Sequence, residues 1–292
     1  MLEDELHPTR ERFYMGAYTA ALATGEKAAT RNDIAESEKK GIMGRCYLAL
    51  GKFSQLKDLR NSPEASQRCC ALFAMFTKAK EQAHKDKAFG DLVELAKSSR
   101  DQTATYLAAC AYALQGDALE AVNLVQASGF TTPEMQGLLA QLFLAMYRVD
   151  LATKQMRQVN QVSDDHVIAK MVSALVNLAN GNYQEAFLLY CDVEAQYGDE
   201  VATIPSSAIC NGKACANLQR GNFSEAPEEL SKMQEVAPGD QDTLVNLCAT
   251  SIHLGNEEEA KKHIETLRKV NPEHALIKKL DHLHNSVANY VP

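Results

Sequence analysis

Asn211-Gly212-Lys213-Ala214 leads into Arg220-Gly221-Asn222-Phe223-Ser224-Glu225-Ala226 and then Pro238. The same order returns in Leu244-Val245-Asn246-Leu247-Cys248, Leu254-Gly255-Asn256-Glu257-Glu258-Glu259-Ala260 and Pro272. The turn glycines, the alanines and the prolines of the two copies each lie 34 residues apart. Each landmark has a physical reason. A glycine lets the chain leave one helix through a positive-φ cap. An alanine is small enough for two helices to approach closely. A proline cannot continue a helix and ends the copy.

That period and those landmarks describe a helix–turn–helix unit of the tetratricopeptide type. The pattern extends outward in both directions. From Ala121 the alanine column continues through Ala152, Ala186, Ala226 and Ala260, at gaps of 31, 34, 40 and 34. Backward it runs through Phe89, Leu56 and Ala21, at gaps of 32, 33 and 35. The fold class is therefore all-α: a right-handed solenoid of eight tetratricopeptide-like helix pairs with a capping helix. One domain covers 1–292, with an irregular repeat at 1–32, the most regular repeats at 167–272 and the capping helix at 273–290. In the first repeat, Pro8 shortens helix A, and Phe13-Tyr14-Met15-Gly16-Ala17-Tyr18 forms an aromatic block. His84-Lys85-Asp86 is assigned to the third turn. Tyr147-Arg148 replaces glycine at the fifth, and Pro227 lies in the first turn of a helix, where no N–H is needed. The 40-residue gap predicts a lengthened connection between Tyr190 and Cys210. Leu276, Leu280, Leu283 and Val287 are expected to share the face with which the last helix covers the final repeat.

Composition excludes several classes of function. The chain has 292 residues, 46% of them hydrophobic, and a formal net charge of −8. An acidic chain without clustered cations is unsuited to nucleic acid. Lys39-Lys40 and Lys278-Lys279 read as solvated helix surface. The eight cysteines lie mostly in apolar helical runs and form no CxxC pair, which argues against a zinc ribbon or redox motif, and this usage leads to the expectation of a cytoplasmic protein. Neither a signal peptide nor an 18-residue apolar span is present in the sequence.

No catalytic constellation emerges, and no cofactor is expected. Asp164-Asp165-His166 is a compact acid–histidine cluster, but Ser163, Asp164 and Asp165 read as a helix N-terminus that caps orphan N–H groups. His282 and His284 are two apart and diverge on a helix. Glu257, Glu258 and Glu259 suit a helix start. There is no phosphate loop, HExxH or GxSxG.

A solenoid of this type presents its A helices to a partner. Counting back from each turn gives Tyr106, Cys110 and Ala113 in the fourth unit, and Met171, Leu175 and Leu178 in the sixth. The seventh gives Asn211, Cys215 and Leu218, and the eighth Val245, Ala249, Ile252 and His253. Only Asn211 and His253 are polar. Adaptors that grip an acidic tail need paired cationic donors there, and this set contains none. Two readings remain: the helices wind tightly enough to bury these positions against the chain itself, or an extended apolar segment of a partner covers them.

The chain resembles the epsilon subunit family of coatomer, the COPI vesicle coat. Phe13-Tyr14-x-Gly16-x-Tyr18 is similar to the opening signature of that family. Asn211-Gly212-x-Ala214 with Gly221-x-Phe223-x-Glu225-Ala226 is similar to its penultimate repeat, and Thr243-Leu244-Val245-Asn246-Leu247 leading to His253-Leu254-Gly255 to its last. The chain departs from the family in its last helix and in the longer 190–210 connection. The resemblance implies a non-enzymatic coat subunit that binds and stabilises the C-terminal domain of the alpha subunit, within a complex of other coatomer subunits. It implies recruitment to Golgi membranes by an Arf-type GTPase, peripheral membrane association through the coat alone, and retrograde Golgi-to-ER and intra-Golgi transport. A regulatory adaptor or co-chaperone that binds partner tails is the alternative.

Overall fold

The computed structural model describes residues 4–162, 164–201 and 206–289, with the side chains of 197–201 left aside. Among them it contains seventeen α-helices and no strand. The chain divides into two compact units, Met1–Asn180 and Gly181–Pro292.

The N-terminal unit holds α1 (His7–Tyr14), α2 (Tyr18–Lys27), α3 (Asp33–Ala49), α4 (Phe53–Lys57), α5 (Ala65–Lys78), α6 (Gln82–Ser99), α7 (Gln102–Leu114), α8 (Ala118–Ser128), α9 (Pro133–Ala145), α10 (Val149–Val162) and α11 (Val167–Ala179). The C-terminal unit holds α12 (Tyr183–Val201), α13 (Ser207–Gln219), α14 (Ala226–Val236), α15 (Gln241–His253), α16 (Glu257–Val270) and α17 (Ala275–Ala288). Successive helices pack as antiparallel pairs, α7 on α8, α9 on α10, α13 on α14 and α15 on α16.

One turn chemistry recurs. Gly16, Gly51, Gly116, Gly221 and Gly255 have φ between +66° and +91°, and Tyr147 stands at +58° in the equivalent place. The N–H that follows each of them donates to a carbonyl five residues back. These bonds are Ala17 to Arg12, Lys52 to Tyr47, Asp117 to Tyr112, Arg148 to Phe143, Asn222 to Asn217 and Asn256 to Ser251. This is the paired-bond helix C-terminus that otherwise orphaned carbonyls demand. The fifth repeat therefore keeps the shared backbone and carries a side chain where its neighbours have none.

The alanine column is buried as the period requires: Ala21, Leu56, Ala121, Ala152, Ala186, Ala226 and Ala260 are all at most 4% exposed. The third repeat corrects the assignment, because Ala88 is the buried residue and Phe89 lies half-buried beside it against Phe76 and Tyr112. A ring cannot enter the close helix contact, so the chain shifts by one residue and admits the methyl. The expected third turn moves as well. His84-Lys85-Asp86 belongs to α6, and Ala79, Lys80 and Glu81 make the turn. In the second repeat α4 has five residues and passes into a 3-10 turn over Asp58–Asn61 before Pro63.

Caps follow the polar residues ahead of the helices. Asn32, Asp101, Thr132, Ser206 and Asp240 each accept from the N–H three residues on. Pro227 sits in the first turn of α14. The lengthened connection is in large part helix: α12 reaches Val201, while the part at 202–205 lies outside the described residues. The last helix also differs from expectation. Ile277 is its fully buried residue, whereas Leu283 and Val287 are 59% and 75% exposed. The apolar contact lies at the start of α17, where Ile277 meets Leu244 and Leu267, and Arg268 of α16 adds an exposed ion pair to Asp281 farther along.

Candidate partner-binding surface

In the N-terminal unit α1 packs against α11 as well as α2 and α3, so the unit closes on itself. The aromatic block of the first repeat faces inward there. Phe13 meets Tyr14 and Tyr18 edge-on, each at 5.7 Å between centroids. Arg45 of α3 lies between two rings, its guanidinium carbon 4.4 Å from the centre of Phe13 and 4.3 Å from that of Tyr106. It donates to Glu134 of α9 at 2.6 Å, and Glu134 also accepts from Gln102 at 3.0 Å. The Arg45 and Glu134 side chains are 7% and 9% exposed, so this is an interior ion pair.

Burial alone would lower the Arg45 pKa. The Glu134 charge and hydrogen bond outweigh it, and the guanidinium is held more firmly protonated than usual. Burial raises the hydroxyls of Tyr14 and Tyr106 above the ordinary tyrosine range and pushes the Cys110 thiol up to about 12.

None of the counted inner positions is a cation, and the buried cation comes from outside that set. Arg45 stands on α3, in a repeat for which no inner positions were counted, and it reaches Tyr106 on α7. Tyr106 and Cys110 are half-buried against the chain's own core. Winding back on itself accounts for these two positions. A basic residue inside the run Gly41-Ile42-Met43-Gly44-Arg45-Cys46 was the one local signal. Met171, Leu175 and Leu178, on α11 of the same unit, are also half-buried.

The C-terminal unit contains a second inward cation. Lys213 of α13, its side chain 6% exposed, donates to Glu194 of α12 at 2.8 Å and to Glu229 of α14 at 2.7 Å. Burial works against its charge, but the two carboxylates prevail and raise its pKa. Asn211 is buried, and its amide is engaged within the chain. It donates to the Ser207 carbonyl at 2.9 Å and to Thr243 at 3.1 Å, and accepts from Asn246 at 2.9 Å. It therefore joins α13 to α15 and is not held open for a ligand. Gly212 is needed beside it, because a Cβ there would fall 2.3 Å from the Tyr190 ring.

Cys215 donates to Asn246 at 3.5 Å, and Leu218 and Val245 are half-buried in the unit's core clusters. Ile252, 60% exposed, and His253 end α15 in the open. The His253 ring stacks on Phe223 at 4.2 Å. Of the inner-face residues expected from the sequence, these two are the exposed ones.

A family model described as the coatomer epsilon subunit matches residues 2–289. The chain belongs to that family. It is 30% identical to coatomer subunit epsilon-2 of Arabidopsis thaliana over 283 residues, covering 95% of this chain and 92% of that one. Among solved structures it is similar to Cut9–Hcn1 of the APC/C, with a TM-score of 0.60, 12% identity, and coverage of 92% of this chain and 52% of that one. It is also similar to a tetratricopeptide repeat protein from Parabacteroides merdae, with a TM-score of 0.54, 14% identity, and coverage of 94% and 95%. At such identities these two likenesses bear on the fold alone, which they place among tetratricopeptide solenoids. Membership of the epsilon family makes the chain a subunit type of the COPI vesicle coat that associates with other coatomer subunits. No helix among the described residues is long and apolar enough to cross a membrane.

Proposed function

We propose that this chain is the non-enzymatic coat subunit that binds the C-terminal domain of the coatomer alpha subunit and stabilises it. Its work is retrograde Golgi-to-ER and intra-Golgi transport. It acts at the cytosolic face of Golgi membranes and vesicles, held there through the rest of the coat after recruitment by an Arf-type GTPase. Family membership across residues 2–289 carries the reading.

The chemistry of the helix faces is compatible with it. Met171, Leu175 and Leu178 in one unit and Leu218, Val245 and Ile252 in the other are apolar inner-face residues that keep some exposure. Partly exposed apolar groups on each unit's inner helices suit a lasting apolar partner. The tail-binding adaptor is the weaker reading. The two inward cations, Arg45 and Lys213, are bonded to carboxylates of the chain itself, so they are not set out to clamp a foreign carboxylate.

Affinity purification of the tagged chain tests the proposal. The alpha-type subunit should remain bound through a high-salt wash. Binding of acidic tail peptides that collapses with salt, with no large subunit retained, would favour the adaptor. Leu175→Asp should release the partner, because an unpaired carboxylate in an apolar interface costs several kcal/mol. A folded variant that still retains the partner removes α11 from the surface.

A further inference from the structure

His7, Glu11 and His166 come from two places far apart in the sequence and meet where α1 packs on α11. His7 and Glu11 are four apart, so α1 presents them on one face. His166 is the residue immediately before α11. One imidazole nitrogen from each histidine and one Glu11 carboxylate oxygen lie within 4.8 Å of one another. We propose that these three residues form a site for a divalent transition-metal ion of the zinc class.

The donor set is the first reason. Two imidazoles and a carboxylate suit a borderline ion such as Zn²⁺, Ni²⁺ or Cu²⁺ better than Mg²⁺ or Ca²⁺, which take oxygen. Geometry is the second. Ligands about 2.0–2.2 Å from a tetrahedral ion stand roughly 3.3–3.6 Å apart. Glu11 Oε1 and His166 Nδ1 are already at 3.3 Å. His7 must close the remaining distance; it is half-buried, and its ring already stands edge-on to that of His166 with 5.2 Å between centroids.

The third reason is how Glu11 is held. It is 3% exposed, and its other oxygen accepts from the Val167 N–H at 3.2 Å. That bond orients the carboxylate and leaves Oε1 toward the histidines, as outer partners do for metal ligands. It also replaces the expected cap: Glu11, not Asp164 or Asp165, serves the start of α11, and Ser163 lies outside the described residues.

Access and charge are compatible. All three residues line a cavity of about 770 Å³, which offers an entry path. Of the three arginines that line it, Arg10 is engaged with Asp4 and Glu38, Arg45 with Glu134, and Arg100 is exposed to solvent. Three protein ligands would leave one position for water. A bound ion would tie the first helix of the unit to its last.

The test uses the full chain, stripped with a chelator and titrated with Co²⁺ and then Zn²⁺. A one-to-one complex with the visible bands of tetrahedral Co²⁺ is expected, displaced by Zn²⁺. His7→Ala, His7→Gln and His166→Ala should each weaken it at least roughly tenfold while circular dichroism stays unchanged. Substituting His282 and His284 with alanine should leave it intact, since both are exposed on α17. An intense thiolate charge-transfer band would place the ion on cysteine and overturn the site. So would undiminished affinity in folded His7 or His166 variants, or no complex at micromolar Co²⁺. The site does not depend on the alpha-subunit reading.

Discussion

Both units bury a cation among their helices, and they do it differently. Arg45 binds Glu134 across 89 residues of sequence and is flanked by Phe13 and Tyr106. Lys213 binds Glu194 and Glu229, which are 19 and 16 residues away on the neighbouring helices. The planar guanidinium suits the first setting, where it stacks on rings and donates in plane. The compact ammonium suits the second, where donors must point to two carboxylates. One pair fastens a closed arrangement of repeats. The other fastens a single repeat to the next. Charge placement thus tells a global closure from a local joint, although both occur in the same type of repeat.

Breaking the Arg45 pair should have the largest effect. Arg45→Met leaves Glu134 buried without its cation and should cost about 3–5 kcal/mol in urea denaturation. Adding Glu134→Met should restore much of that, because it removes the stranded charge. A double variant no better than the single would mean that the rings, not the ion pair, supply the stability.

Lys213→Met should cost less, about 2 kcal/mol. Glu194 is 45% exposed and can turn to water, while Glu229, at 13%, keeps only Lys232 at 3.5 Å. Equal losses at Arg45 and Lys213 would erase the distinction between closure and joint.

A smaller effect separates the fifth turn from the others. Tyr147 is 92% exposed at positive φ, so it contributes little packing and carries the strain of a left-handed backbone. Tyr147→Gly should stabilise by about 0.5–1 kcal/mol, and Gly116→Ala should destabilise by a similar amount. Calorimetry on both variants checks the sign.

The smallest effect is chemical. Burial pushes the Cys46 and Cys110 thiols up to about 12, so in the N-terminal unit they are protonated at neutral pH. Cys191 in the C-terminal unit is also raised by burial, but less strongly, with the Lys213 charge pulling it back. Alkylation followed by peptide mapping should mark Cys191 well before Cys46 or Cys110.

Much of this fold could be read in advance, because a tetratricopeptide repeat is a local object. Its turns need positive φ at one place, which the glycines announce and Tyr147 obeys without announcing. Its close helix contacts need small residues, and the alanine column supplies them. Errors arise where a neighbour's shape intervenes. At Phe89 a ring could not enter the contact. On α17 the packed residue is Ile277, because only the first turn of the helix enters the core of the previous repeat.

The candidate surface was less legible. Leu175 or Ile252 can be counted to a face, but counting cannot tell which faces the chain covers with itself. Tyr106 looked open until Arg45 and Phe13 arrived from repeats sixty and more residues away. Glu11 gave no sign of capping a helix that begins at Val167. Periodicity records only interactions within a few turns of helix, and those specified the repeats and their caps, while the family was legible through the resemblance of Phe13–Tyr18 and the last two repeats. Which buried charge meets which partner depends on the small rotation from each repeat to the next, summed over the unit. No residue carries that sum, so the Arg45–Glu134 pair and the meeting of His7, Glu11 and His166 were settled only when α1 came to rest on α11.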